Sequence, residues 1–305
     1  MHTWSDIVPP DKRTPGIVAI DPVIFPMLDK LYERRIKRLN AQAHALGENG
    51  EYYRFLSQIV HFQQQNFALS PLQQDEITAI HAVISREQSN EQLENRLLDI
   101  TCWQTAYARL ITQLEAFLPQ EMLQRLSGLS TKPQHLARLV VHLLRAEYQL
   151  VNPGSAVVIW AALSACWAQA ITSLQKNAVT HPIAQSVACP CCGAPPVASL
   201  VLGGAREGLR YLQCSLCETR WHRVRAVCIA CEETSQIDHW TLDDTKSAIQ
   251  IETCGDCKSY IKTFRLDYDP TLEAVADDIG SFTLDKAAEA EGFLRIGINP
   301  FSFPA

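Results

Sequence analysis

Nine of the eleven cysteines in this 305-residue chain lie between residues 189 and 257. Eight of them form four C-x-x-C pairs: Cys189/Cys192, Cys214/Cys217, Cys228/Cys231 and Cys254/Cys257. One such pair aims two sulfurs at an ion, and a second pair completes a tetrahedron of thiolates. Twenty-one residues separate the first two pairs and 22 separate the last two, against ten between the second and the third. The spacing predicts two closed four-cysteine metal sites.

Four sulfur ligands suit zinc and iron alike, so the ligand set leaves the metal open between these two. Because no position is left for water, the predicted sites are not of the hydrolytic kind. A redox dithiol is the alternative for any single pair. Only Gly193 supplies the glycine that usually follows the second cysteine, and we expect strained turns at Glu218, Glu232 and Lys258. The chain has no Walker, G-x-S-x-G or H-E-x-x-H motif, and we predict that it is not an enzyme.

The elements around the cysteines are predicted to be short β-strands joined by turns, at 197–202, 208–213, 221–227, 239–242 and 260–266. Residues 22–175 instead have helical periodicity and predict an all-α bundle of five to seven helices. A further helix is predicted over 272–290. The fold class is therefore α+β, with a helical domain (1–184), two rubredoxin-like or zinc-ribbon modules (185–227 and 228–269) and a C-terminal helix and tail packed on the body (270–305).

Two segments of the helical part carry specific expectations. The basic run Lys30, Arg34, Arg35, Lys37 and Arg38 is interpreted as the solvated face of an amphipathic helix. The apolar run 156–171 is shorter than the roughly 20 residues that span a bilayer, and we interpret it as a buried core helix. We also expect the helical core to be independent of the cysteine modules.

Charge and the N-terminal sequence narrow the class of protein. The chain carries 27 Lys+Arg against 33 Asp+Glu, which argues against a nucleic-acid-binding protein. Residues 1–6 lack the basic and apolar regions of a signal peptide, so we expect a cytoplasmic protein without membrane insertion.

The two cysteine modules differ in charge, at +3 over 189–227 and -5 over 228–269 before thiolates are counted. The arginines of the first module either offset thiolate charge or form a polar docking face. For the docking face we take Arg206, Arg210, Trp221 and His222 as candidate partner-binding residues.

Several motifs resemble the FdhE family of formate dehydrogenase accessory proteins, and the likeness extends over nearly the whole chain. They are Cys189-Pro190-Cys191-Cys192-Gly193, the segment 208–217, Trp221-His222, the segment 273–278 and the closing Ile298-Asn299-Pro300-Phe301.

The resemblance implies a cytoplasmic, non-catalytic maturation factor. Its partner would be the molybdenum- or tungsten-dependent catalytic subunit of a respiratory formate dehydrogenase, bound before export by the twin-arginine route. Rubredoxin-like centres in the family imply that the metal is iron or zinc. A homodimer is also possible within this resemblance. Without the resemblance, a rubredoxin-like redox protein and a zinc-ribbon nucleic-acid-binding protein are the alternatives.

Overall fold

The computed structural model describes residues 20–84, 88–173, 186–242 and 247–304. Within the described residues before 174, eight α-helices form: α1 Leu28–Leu46, α2 Glu51–Leu69, α3 Gln74–Ile84, α4 Asn90–Asp99, α5 Thr101–Leu114, α6 Gln120–Ser130, α7 Pro133–Leu144 and α8 Pro153–Thr172. Two more follow the sheet, α9 Ala274–Gly280 and α10 Phe282–Ala290. The predicted α+β class is confirmed. The predicted boundary between 184 and 185 lies outside the described residues.

The strands form one sheet that both cysteine modules share. They are β1 Val23–Ile24, β2 Pro196–Val201, β3 Arg210–Cys214, β4 Arg220–His222, β5 Ile237–Trp240, β6 Ile249–Cys254, β7 Ser259–Arg265 and β8 Leu294–Arg295. Their order is β1-β4-β3-β2-β7-β6-β5, with β8 beside β7. The modules join where β2 pairs parallel to β7, with Ser199 opposite Thr263. Tandem modules predicted from the sequence are thus joined by backbone hydrogen bonds.

Helix α8 forms the centre of the helical part. Its N-terminus is capped by the Asn152 side chain, which accepts a hydrogen bond from the Ser155 amide at 3.1 Å, and Pro153 fits the first turn. Every residue from 155 to 171 is buried. Among the described residues this is the one helix with the length and hydropathy of a membrane span, and 94% of that apolar window is buried inside the protein. It is a core helix, as predicted.

Some predicted boundaries are wrong. From Ser70-Pro71 the sequence predicts the start of a helix, but Ser70 ends α2 instead, and α3 begins at Gln74. The single helix expected over 272–290 is broken at Ser281. Its hydroxyl donates to the Asp277 and Asp278 carbonyls and accepts a hydrogen bond from the Lys262 ammonium. Strand β6 was not predicted, although its alternating sequence is typical of a strand.

Apart from a small cluster of Ile251, Tyr260, Leu284 and Ala288 between the sheet and α10, the helices and the sheet bury most of their apolar residues in one continuous cluster. The cluster joins Trp160 and Trp167 of α8 to Val197 and Leu200 of β2, and to Phe303 of the C-terminal tail. The Phe303 ring lies edge-on to the Trp160 ring at 5.6 Å. The expectation of a helical core independent of the cysteine modules is therefore wrong.

Candidate metal centres

The eight paired cysteines gather into two four-sulfur groups, with the sulfurs of each group within 4.8 Å of one another. The first group is Cys189, Cys192, Cys214 and Cys217, and the second is Cys228, Cys231, Cys254 and Cys257. This is the grouping that the spacing predicts.

The sulfur–sulfur distances fit tetrahedral metal coordination. In the first group the Sγ atoms of Cys192 and Cys214 lie 3.4 Å apart, and in the second group those of Cys231 and Cys254 lie 3.7 Å apart. A tetrahedron with metal–sulfur bonds of about 2.3 Å has edges of about 3.8 Å. A disulfide would require about 2.05 Å. Both groups can therefore hold a metal ion, and four thiolates accommodate zinc or iron.

All four C-x-x-C turns place the next residue in the left-handed region. The φ angle is 79° at Gly193, 63° at Glu218, 66° at Glu232 and 56° at Lys258. Only glycine adopts this conformation freely, and other residues lose about 1–2 kcal/mol. The strain expected at the three non-glycine positions is thus present in the backbone, and it is imposed by the need to point two sulfurs at one centre.

Backbone amides point at the sulfurs in both groups. The amides of Leu216 and Cys217 both donate to the Cys214 Sγ at 3.3 Å, and the amide of Ala230 donates to the Cys228 Sγ at 3.4 Å. Such donors stabilise thiolate charge and orient the ligand. These backbone amides therefore favour the thiolate form of the sulfurs, which is the form that binds a metal ion.

The first group is enclosed by the protein. All four of its cysteines are buried, and α8 covers the turn between Cys214 and Cys217. The Trp160 indole N–H donates to the Ser215 carbonyl at 2.9 Å, and the Ser164 hydroxyl donates to the Leu216 carbonyl at 2.8 Å. The first metal centre is thus anchored directly to the core helix.

Burial also affects ionisation of the first group. It raises the pKa of the Cys189, Cys192 and Cys214 thiols well above the ordinary value. At Cys217, hydrogen bonds from the other three sulfurs overcome burial and lower the pKa. Four thiolates in this enclosure would repel one another, so a bound cation is needed to keep them all ionised.

The second group lies at the surface. Cys257 is exposed and Cys231 is half-buried, whereas Cys228 and Cys254 are buried. The Cys257 Sγ lies 2.9 Å from the Ser259 hydroxyl. Solvent and chelators can therefore approach the second centre from the side of Cys257, whereas the first centre has no exposed ligand.

We expect a chelator to remove metal from the second centre first. The release rates should differ by about tenfold or more, because release from the first centre requires local opening that costs at least about 1.4 kcal/mol. The measurement is metal release with time from the two-ion wild-type protein and from Cys254→Ala, which retains only the first centre and should show only the slow phase. A single release rate in the wild type, equal to that of Cys254→Ala, would show that exposure does not control access.

A buried arginine connects the first centre to two distant helices. Arg35 of α1 is 1% exposed and binds both carboxylate oxygens of Glu218, at 2.7 and 2.9 Å. It also donates to Glu273, at 2.9 and 3.1 Å, and Glu273 caps α9 by accepting from the Ala276 amide. The interpretation of the whole basic run of α1 as a solvated face is thus wrong, because Arg35 points inward. The sequence signal that we missed is Glu218, an acidic residue where the turn favours glycine.

The four candidate partner-binding residues do not share one exposed face. Arg206 is 46% exposed and pairs with Asp21 at 2.5 Å, and His222 is half-buried against the Tyr211 ring. Trp221 is fully buried, and its indole donates to the Ser186 carbonyl. Arg210 is buried as well.

Arg210 joins the two modules. It is 2% exposed, and it donates to Glu252 of β6 at 2.6 Å and to Ser199 of β2 at 3.0 Å. Its charge therefore balances a carboxylate of the second module, and it is not aimed at the sulfurs. Burial takes Arg210 and Trp221 off the surface, so a docking role stays a prediction for Arg206 and His222 alone.

Comparison with known proteins gives the family. Three family models match the chain in succession: FdhE, N-terminal over residues 20–183, FdhE, central domain over 188–225, and FdhE, C-terminal domain over 226–302. The chain belongs to the FdhE family. The resemblance inferred from the cysteine and tail motifs is confirmed.

Individual FdhE proteins agree with this membership. An FdhE homolog from Klebsiella pneumoniae is 39% identical over 96% of this chain and 94% of its own length. The FdhE protein of Escherichia coli K12 is 38% identical over the same shares. The crystal structure of FdhE from Pseudomonas aeruginosa matches 92% of this chain and 98% of its own, with a TM-score of 0.76 and 26% identity. Membership of the FdhE family supports a formate dehydrogenase accessory protein.

Proposed function

We propose that this protein is a cytoplasmic maturation factor that binds the catalytic subunit of a respiratory formate dehydrogenase before its twin-arginine export. The observation that carries the proposal is the match to all three parts of the FdhE family, which together extend from residue 20 to residue 302.

We further propose that the eight cysteines bind two ions, iron or zinc, and that the protein has no turnover of its own. A four-thiolate ion supplies cross-linking of the chain and leaves no coordination position for a substrate. The residues around the ions then determine which groups a partner protein can contact. Arg35 and Glu218 hold the first centre against the helices, while the second centre presents Cys257 at the surface.

Deletion of the gene from its host is expected to abolish respiratory formate oxidation while transcripts of the catalytic subunit persist. The wild-type gene should restore activity, and a complex with the catalytic subunit should be recovered from the cytoplasm before export. A gene carrying Arg125→Gln, at an exposed residue that pairs with Glu121 on its own helix, is the matched control and should restore activity as the wild-type gene does. Normal formate oxidation in a deletion strain without a paralogue would reject the maturation role.

Exposure of the second centre favours one alternative, a rubredoxin-like electron-transfer role. An ion bound beside exposed Cys257 would lie close enough to the surface to exchange electrons with a partner. Voltammetry of the iron-loaded protein distinguishes the two roles. The redox role is favoured if the iron-loaded protein shows a reversible couple and if Cys257→Ala loses both this couple and maturation of the dehydrogenase. Full maturation by the zinc-loaded protein would exclude the redox role.

A further inference from the structure

A recess of about 290 Å³ opens between the start of α1 and the sheet, and Glu218, the residue that follows the ligand Cys217, lies in its wall. It is formed by the segment joining β1 to α1, by strands β2 and β4, and by the segments after β7 and before α9. Its walls are mostly apolar, and they include Phe25, Leu31, Leu200, Leu266 and Leu272. An apolar recess with a few polar groups is the usual form of a binding site.

Three cations line this recess: Lys30, Arg34 and Arg220. Arg220 donates through Nε to the Gln213 side chain at 3.1 Å, and across the described ranges no carboxylate lies within ion-pair distance of Arg220 or Lys30. Arg34 donates to the backbone carbonyls of Pro270 and Leu272, which are neutral. The positive charges of the recess are therefore not paired with acidic side chains.

The two carboxylates that reach the recess are already bound elsewhere. Glu218 and Glu273 both line it, and both are ion-paired with Arg35 behind its wall. Together with Arg35 the site holds four cations against these two carboxylates, an excess of two positive charges. An acidic group from outside the described chain would balance this excess.

The surroundings of Arg220 disfavour its charged form. Burial, followed by repulsion from Arg34 and Arg35, lowers the pKa of Arg220 to about 10, although Glu273 and Glu218 act in the opposite direction. A guanidinium in such surroundings gains from a bidentate carboxylate, whose two oxygens match its fork of N–H donors. The recess is thus prepared for a carboxylate with an apolar neighbour.

We propose that this recess docks an acidic side chain of the partner polypeptide, with Arg220 and Lys30 binding the carboxylate and the apolar walls covering a neighbouring apolar side chain. The identity of the partner, the formate dehydrogenase catalytic subunit, rests on the proposed function. The chemistry of the recess does not, because it follows from the side chains that line it.

The first test uses octanoate as a probe that carries a carboxylate on an apolar chain. Calorimetric titration of the metal-loaded full-length protein should show saturable binding. Binding should weaken by about tenfold or more in Arg220→Gln, since a charged hydrogen-bonded pair is lost. Octanol has the same apolar chain but no charge. Its affinity for the wild-type protein should be no higher than the affinity of octanoate for Arg220→Gln. Absence of saturable octanoate binding, or equal binding by Arg220→Gln, overturns the site.

The second test measures affinity for the formate dehydrogenase catalytic subunit. Arg220→Gln should weaken the complex about tenfold, and Lys30→Gln, at an exposed position, should weaken it less and serve if the first variant folds poorly. Arg125→Gln is the matched control. Octanoate should compete with the subunit for the wild-type protein. Octanoate binding with an unaffected subunit complex would leave a small-carboxylate site and overturn the docking role. If the wild-type protein itself forms no complex with the subunit, the proposed function is rejected. The octanoate titration then still shows whether the recess binds a carboxylate.

Discussion

Replacement of Cys214 by Ala is expected to destabilise the helical part of the protein as well as the first metal centre. The turn that carries Cys214 also carries the carbonyls that accept hydrogen bonds from Trp160 and Ser164 of α8. In zinc-finger peptides, metal binding contributes about 10–16 kcal/mol, against about 5–15 kcal/mol for the stability of a whole domain. Loss of the ion should therefore lower the urea midpoint of the helical circular dichroism signal.

The matched variant is Cys231→Ala in the second centre. That centre lies at the surface, and its half-buried Cys231 has no comparable contact with α8 in the described structure. Its helical transition should stay close to that of the wild type, while the metal content falls from two ions to one. A wild-type midpoint in Cys214→Ala would show that the helices fold without the first centre, despite the shared core.

Replacement of Arg35 by Met is expected to cost about 3–5 kcal/mol of folding free energy, because it leaves two buried carboxylates without their cation. Those carboxylates, Glu218 and Glu273, follow the second C-x-x-C pair and cap α9 respectively. The variant should therefore loosen three parts of the protein together: α1, the first centre and α9. Urea unfolding followed by metal release and by circular dichroism measures the coupling.

Two controls test the assignment to buried charge. Arg125→Met removes an exposed arginine paired with Glu121 and should change stability by less than about 0.5 kcal/mol. Arg35→Met combined with Glu218→Gln and Glu273→Gln should recover part of the loss, since neutral amides are less costly to bury than unpaired carboxylates. If Arg35→Met alone proves as stable as Arg125→Met, water must reach the Glu218 and Glu273 carboxylates.

Local features of this protein could be predicted from the sequence. A C-x-x-C turn is formed by neighbouring residues, so the eight ligand positions and their grouping follow from spacing alone. The positive φ after each pair is likewise local, and Gly193 marks it in the sequence. The apolar run of α8 contains no charge, which makes its burial readable without knowledge of its neighbours.

Tertiary structure decided where charged and aromatic side chains lie. Arg35 belongs to a basic run typical of an exposed face, yet its carboxylate partners lie 183 and 238 residues further along the chain. The pairing of β2 with β7, which makes one sheet of two modules, also depends on residues far apart in sequence. Arg210 and Trp221 seemed suited to a docking face, but strand pairing turned both inward. Periodicity records which face of an element is apolar, whereas the burial of a charge depends on partners that only the folded chain brings within hydrogen-bond distance.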